Sequence, residues 1–151
     1  MIWPFRRKSK KRMARIVIDE PITSSTRVSV LKALKQIEDR EFPALILRID
    51  SPGGTVGDSQ EIYSAIKRLK EKGCKVVASF GNISASGGVY IGVASDKIVA
   101  NPGTITGSIG VIIRGNNLSE LLNKIGIKFE TVKSGIYKDI LSLHLPKSFY
   151  V

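Results

Sequence analysis

Two glycine-rich stretches of this 151-residue chain combine a hydroxyl with backbone turns that could serve a reaction or a bound group. The first, Arg48-Ile49-Asp50-Ser51-Pro52-Gly53-Gly54-Thr55, directly follows an apolar run. Paired glycines let a backbone turn tightly and bring amide N–H groups close to a bound group. Taken alone, the stretch is more simply a turn between a strand and a helix. The second, Phe80-Gly81-Asn82-Ile83-Ser84-Ala85-Ser86-Gly87-Gly88-Val89-Tyr90, places Ser86 at the start of a helix of small residues. Amides at a helix N-terminus favour negative charge developing there, and Gly87 and Gly88 leave room for a substrate carbonyl. An isolated serine in that place is equally an N-cap.

A nucleophilic serine needs a base. His144 is the single histidine and stands in a stretch of irregular pattern, which argues against a Ser/His/Asp triad. The surroundings of Ser86 also depart from the G-x-S-x-G elbow of hydrolases, because Ser84 occupies the first glycine position. A lysine serves if its surroundings keep the amine uncharged. Ser29-Val30-Leu31-Lys32 and Ser64-Ala65-Ile66-Lys67 both fit S-x-x-K, but each puts its lysine on the wet side of an amphipathic stretch. Lys138 follows an apolar run through Lys133-Ser134-Gly135-Ile136-Tyr137, from where it could point back across strand ends. On the residues alone, a solvated loop lysine is the simpler reading.

Around these stretches the chain alternates between apolar runs and amphipathic segments, the pattern of parallel strands joined by crossover helices in an α/β domain. Strands are predicted at 14–18, 44–49, 75–80, 97–100, 109–113 and 128–132. Several are continuous apolar runs, as expected of strands covered on both faces. A helix is predicted over 25–40, with Val28, Leu31, Leu34 and Ile37 inward and Lys32, Lys35 and Glu38 opposite. A second spans 55–72, with Ile62, Ala65, Ile66 and Leu69 inward and Gly73 as its stop. Short helices at 86–94 and 117–125 complete the set, with no repeat, linker or second domain.

At these residues the chain resembles a known family. Asp50-Ser51-Pro52-Gly53-Gly54, Ser84-Ala85-Ser86-Gly87-Gly88-Val89-Tyr90, the run from Asn101-Pro102-Gly103 to Gly107-Ser108-Ile109-Gly110-Val111, and Lys133-Ser134-Gly135 with Tyr137-Lys138-Asp139 resemble the bacterial signal peptide peptidase A family of Ser/Lys proteases. The resemblance covers roughly residues 14–142. It implies a Clp/crotonase-like spiral of βαβ units with a mostly parallel sheet. It also implies Ser86 as nucleophile, Lys138 as general base and Ser108 as the hydroxyl that orients the lysine. Gly54 and Gly87 become the oxyanion-hole donors, and Gly53 and Gly88 contact substrate. The implied reaction is endoproteolysis of remnant signal peptides or unfolded segments, without metal or organic cofactor, by a homo-oligomer.

The resemblance fixes the expected organisation: a basic tail at 1–13, a protease core at 14–142 and a tail without the family pattern at 143–151. Family members usually continue well past the lysine motif, so a C-terminally truncated chain is expected. A catalytically silent fragment that acts as a binding or assembly subunit is therefore the alternative. A crotonase-type acyl-thioester enzyme is a lesser one, needing a carboxylate base for which Asp50 and Asp58 are the nearby residues.

Composition excludes other classes. At 42% hydrophobic and 25% charged, the chain can bury a core of useful size. Net charge is +11, yet seven of the 24 Lys and Arg lie in the first fifteen residues, which hold no acid. The remaining 17 basic residues nearly balance 13 acidic ones, so the charge belongs to a tail and nucleic-acid binding is not expected. Cys74 alone gives neither a disulfide framework nor a zinc site. No apolar run of about 7 to 15 residues follows the basic cluster and none approaches the roughly 18 of a spanning helix. A cytoplasmic protein is expected, with Ile2, Trp3 and Phe5 among the basic residues of 1–12 either touching an anionic membrane surface or simply solvated.

Overall fold

The computed structural model of the chain describes residues 12–112 and 118–128, together with 130, 132 and 134. They fall in two compact units that divide between Val111 and Ile112. In the first, the order is β1 (Met13–Ile18), α1 (Ser24–Asp39), β2 (Ala44–Ser51), α2 (Val56–Glu71), β3 (Lys75–Ala85), α3 (Gly87–Gly92), β4 (Lys97–Val99) and β5 (Ile105–Gly107). The second holds α4 (Ser119–Lys124).

The strands pair in parallel in the order β1-β2-β3-β4, with β5 also on β3. Alternate residues of β2 (Leu45, Leu47, Ile49 and Ser51) are buried and those between them are only half exposed, as expected of a central strand covered on both faces. Ile62, Ile66 and Leu69 of α2 and Val76, Ala78 and Phe80 of β3 join them in one core. Each fully buried Leu, Ile or Val there contributes about 1.5–3 kcal/mol.

Helix α1 takes the expected span but a different face. It buries Thr26, Val30, Leu34 and Ile37, while Val28 is 57% exposed and Leu31 is only partly covered. Spacings of four, four and three keep these residues on one face of a helix with 3.6 residues per turn, where an unbroken run of threes drifts around it. Thr26 tolerates burial because its hydroxyl reaches the Glu20 carboxylate at 2.9 Å and the Pro21 carbonyl at 3.0 Å. Helix α2 stops where expected, at Gly73 with φ +93°.

The sheet departs from expectation at its far edge. The strand predicted at 109–113 is replaced by β5 at Ile105–Gly107, and residues 109–112 are in no strand, with Ile109, Val111 and Ile112 exposed at 74, 71 and 75%. Residue 113 lies outside the described residues. The β-branched run has strand propensity, but a strand also needs a ladder partner, and β3 spends its free edge on 105–107. Residues 128, 130 and 132 of the run predicted at 128–132 are likewise in no strand, and 129 and 131 lie outside the described residues.

Leu34→Ala is expected to destabilise the protein by about 2–5 kcal/mol and Val28→Ala by less than about 0.5 kcal/mol in urea unfolding, because only the first empties a core site.

Candidate active site

The site is built where β2 and β3 end. Their register runs without a break from Ala44↔Lys75 to Ile49↔Phe80 and resumes at Ser51↔Ser84, so β3 carries two extra residues across the gap. The Asp50 carboxylate fills it, accepting the Ile83 N–H at 3.0 Å and the Asn82 side-chain amide at 3.3 Å. A side chain on Gly81 would overlap that carboxylate. Hydrogen bonding from the backbone of Ile83, first, and of Asn82 holds the Asp50 carboxyl below its ordinary range, and the Arg48 charge adds to the effect. The shift re-aims β3: residues 77–79 pair with β4, and residues 83–85 pair with β5.

At the end of β3 the chain turns at Ser86 with φ +50° and ψ −116°, a left-handed conformation that a non-glycine residue adopts at a cost of roughly 1–3 kcal/mol. The Ser86 N–H donates to the Gly107 carbonyl at 2.8 Å, and its carbonyl accepts the Tyr90 N–H at 3.0 Å. Ser86 stands at the N-cap position of α3, yet its side chain makes no capping bond. The hydroxyl is thus free of the structural duty that a serine at a helix start ordinarily has.

Opposite, the turn after β2 is tied to the segment before α1. Ile22 donates to the Gly53 carbonyl at 2.9 Å, and its own carbonyl accepts the Thr55 N–H at 3.0 Å. The turn comes so close to Ser86 that a Cβ on Gly53, where φ is +94°, would lie 2.7 Å from the Ala85 carbonyl and 2.8 Å from the Gly87 nitrogen. One on Gly87 would overlap the Ser59 hydroxyl and sit 3.4 Å from the Gly54 nitrogen. Among the described residues neither the Gly54 nor the Gly87 amide donates a backbone hydrogen bond across the turn, and Gly87, as first residue of α3, has no partner within its helix. Two amides beside one hydroxyl are the parts that stabilise an oxyanion during acyl transfer.

A cavity of about 240 Å³ opens on this arrangement, with Ser86, Gly54 and Gly87 on one side and Val56, Tyr90, Ile109 and Val111 forming mostly apolar walls. Tyr90 stacks on Tyr63 at 4.9 Å and donates its hydroxyl to Gln60. Val56, Gln60 and Tyr90 were not expected as walls; their signal was position alone, Val56 opening α2 and Gln60 and Tyr90 lying about one turn into α2 and α3. A larger cavity, about 460 Å³, lies at the other end of the sheet, beside Pro43 and Cys74, away from these groups.

Ser86, Gly54 and Gly87 are therefore brought together. Gly53 and Gly88 stand behind them: neither lines the cavity, and a Cβ on Gly88 would lie 3.2 Å from the Ser51 carbonyl and 3.3 Å from the Ser84 hydroxyl. Ser108 is exposed, with φ +52°, one residue past the Gly107 carbonyl that Ser86 binds. Lys138 lies outside the described residues, as does His144. Lys32 and Lys67 are exposed.

The two nearby carboxylates are both engaged. Asp50 braces β3, and Asp58 accepts the Thr55 hydroxyl and pairs with Arg27 at 2.8 Å, so neither points a free base at the hydroxyl. Among the described residues no cluster of three His, Cys, Asp or Glu could hold a metal, and no helix is long and apolar enough to cross a membrane.

The model of peptidase family S49 matches residues 68–148, and that of Clp protease matches 7–104. The chain is 64% identical over 142 residues to a Synechocystis protein named as a protease, covering 94% of this chain and 51% of that one. It is 45% identical over 113 residues to an Enterococcus faecium protein named as a signal peptide peptidase SppA (74% and 33% covered). The chloroplast serine protease SPPA of Arabidopsis thaliana is 42% identical over 104 residues (69% and 15%). The chain thus spans about half or less of the length of these relatives.

Among solved structures it is similar to the membrane-bound stomatin-specific protease 1510-N of Pyrococcus horikoshii, as a serine-to-alanine mutant (27% identity, TM-score 0.58, 70% of this chain and 49% of that one). A lysine-to-alanine mutant of the same protease, in complex with a substrate peptide, matches at TM-score 0.57. ClpP1 of Listeria monocytogenes matches at TM-score 0.50 and 25% identity, over 54% of this chain and 46% of that one. The fold is accordingly the Clp/crotonase-like one.

The bracing by Asp50 makes a pH prediction. Its folded pKa is lowered, as is that of Asp96, which accepts the Val76 N–H and pairs with Lys70. A lowered folded value contributes stability that is present above the unfolded value, about 3.9, and lost as pH falls through the folded one. Urea unfolding midpoints should therefore fall as pH drops below about 4, and Asp50→Asn should flatten part of that decline.

Proposed function

The chain belongs to peptidase family S49, and on that premise we propose that it is a serine endopeptidase of the signal peptide peptidase type, with Ser86 as nucleophile and Lys138 as general base. The observation that carries the reading is the strained, uncapped Ser86 beside the Gly54 and Gly87 amides at the mouth of an apolar cavity.

In this mechanism the uncharged amine of Lys138 takes the Ser86 proton as Oγ attacks the scissile carbonyl. The Gly54 and Gly87 amides receive the oxyanion, where loss of one donor costs roughly 3–4 kcal/mol. Collapse of the tetrahedral intermediate expels the leaving amine, which receives its proton from Lys138. Water, deprotonated by the same lysine, then hydrolyses the acyl-serine. Ser108 orients the lysine. The apolar walls suit small or apolar side chains at the cleavage site, as in remnant signal peptides and unfolded segments.

The reading places the protease core at 14–142 between a basic tail at 1–13 and a tail at 143–151, and has the core working as a homo-oligomer. The tail at 1–12 contacts anionic membrane from the cytoplasmic side; flotation with anionic liposomes that persists after residues 1–12 are deleted would refute that contact.

The test is cleavage of an apolar peptide by the purified chain beside Ser86→Ala and Lys138→Ala at matched concentration. Each substitution is expected to lower turnover by roughly ten-thousandfold while the fold, followed by circular dichroism, is kept. A folded but inactive unmutated chain would favour a silent binding or assembly subunit.

A further inference from the structure

The mechanism gives Ser51 no role, yet its hydroxyl is fully buried and used twice. It donates to the Glu20 carbonyl at 2.7 Å and accepts the Gly53 N–H at 3.2 Å. Those bonds tie the last residue of β2 both to the segment that precedes α1 and to the turn that carries Gly54. The same segment clasps the turn further on, through the Ile22 N–H to Gly53 and the Thr55 N–H to Ile22. Ser51 is the side-chain link at the root of this clasp, where the ladder with β3 resumes as Ser51↔Ser84.

We infer that Ser51 is a positioning residue for the oxyanion hole, its hydroxyl holding the Gly53–Gly54 turn so that the Gly54 amide stays beside that of Gly87. The inference rests on the peptidase reading. Its physical basis is that Gly53 is buried, so its N–H has no water to turn to when the Ser51 oxygen is removed. The turn must then shift to satisfy it, and the Gly54 amide moves with the turn. The Gly54 amide lines the cavity where charge develops on the carbonyl oxygen, and its bond strengthens as that charge grows, so the loss falls mainly on the transition state. Ser84 supplies the contrast. It is equally buried and sits opposite Ser51, but its hydroxyl has no partner among the described residues.

The experiment compares Ser51→Ala and Ser84→Ala with the unmutated protein in apolar-peptide cleavage and in amide hydrogen exchange. Ser51→Ala is expected to lower kcat roughly 10- to 100-fold with KM changed less than about twofold, whereas Ser84→Ala changes neither by more than about twofold. Exchange should quicken at Ile22, Gly53 and Thr55 in Ser51→Ala and stay unchanged in the β2 and β3 core. An unaltered kcat, a change confined to KM, or faster exchange throughout the core in step with lost activity would overturn the positioning role. Cleavage that survives Ser86→Ala would instead overturn the peptidase reading. In that event unchanged exchange at Ile22 and Thr55 would refute the clasp as well.

Discussion

The close approach of two backbone turns is the constraint from which the rest of the site follows. The turn after β2 and the turn after β3 come within contact distance, with Gly53 backed against the Ala85 carbonyl and the Gly87 nitrogen and no space for a side chain between them. A parallel sheet brings the ends of neighbouring strands to one edge, but by itself it leaves them a strand spacing apart. Here the two extra residues in β3, filled by the Asp50 carboxylate, swing the end of that strand toward β5 and carry Ser86 over the first turn. Small residues then become a necessity of space, which is why both stretches are rich in glycine.

Stability and chemistry are spent in different places. The core of Leu45, Leu47, Ile49, Ile62, Ile66 and Val76 is apolar and closed, and the ladder from β1 to β3 runs in register along it. At the far end the same strands carry a register shift, a left-handed serine and two amides that, among the described residues, have no backbone partner across the turn. Each of these features costs free energy and persists because the closed core over-determines the backbone around it. The sum is a hydroxyl and two amides held close together by the backbone, and under the proposed function such fixed donors leave little reorganisation for a reacting complex.

Much of this was legible in the residues. Helix α2 with its glycine stop, the span of α1 and the starts of β2 and β3 follow from periodicity, since the same burial that stabilises them imposes it. That Ser86, Gly54 and Gly87 come together was legible because glycine pairs and a serine at neighbouring strand ends share one sheet edge. The face of α1 was misjudged because Val28 is apolar and Thr26 is not, and only the bonds from Thr26 to Glu20 and Pro21 explain which is buried. The strand expected at 109–113 failed for a tertiary reason: local propensity does not reveal which segment β3 will accept as its neighbour. Ser51 was hidden for a related reason, as its two partners are meaningful only once segment 20–22 folds back on the turn.

The most direct test of the account is to trap the acyl intermediate. The protein is mixed with an apolar peptide ester, quenched in acid during turnover and weighed intact, and the modified residue is located by peptide mapping. A mass increase equal to the acyl group is expected, carried on Ser86 and absent from Ser86→Ala. An unmodified protein during ester consumption, or an acyl group on another residue, would contradict it.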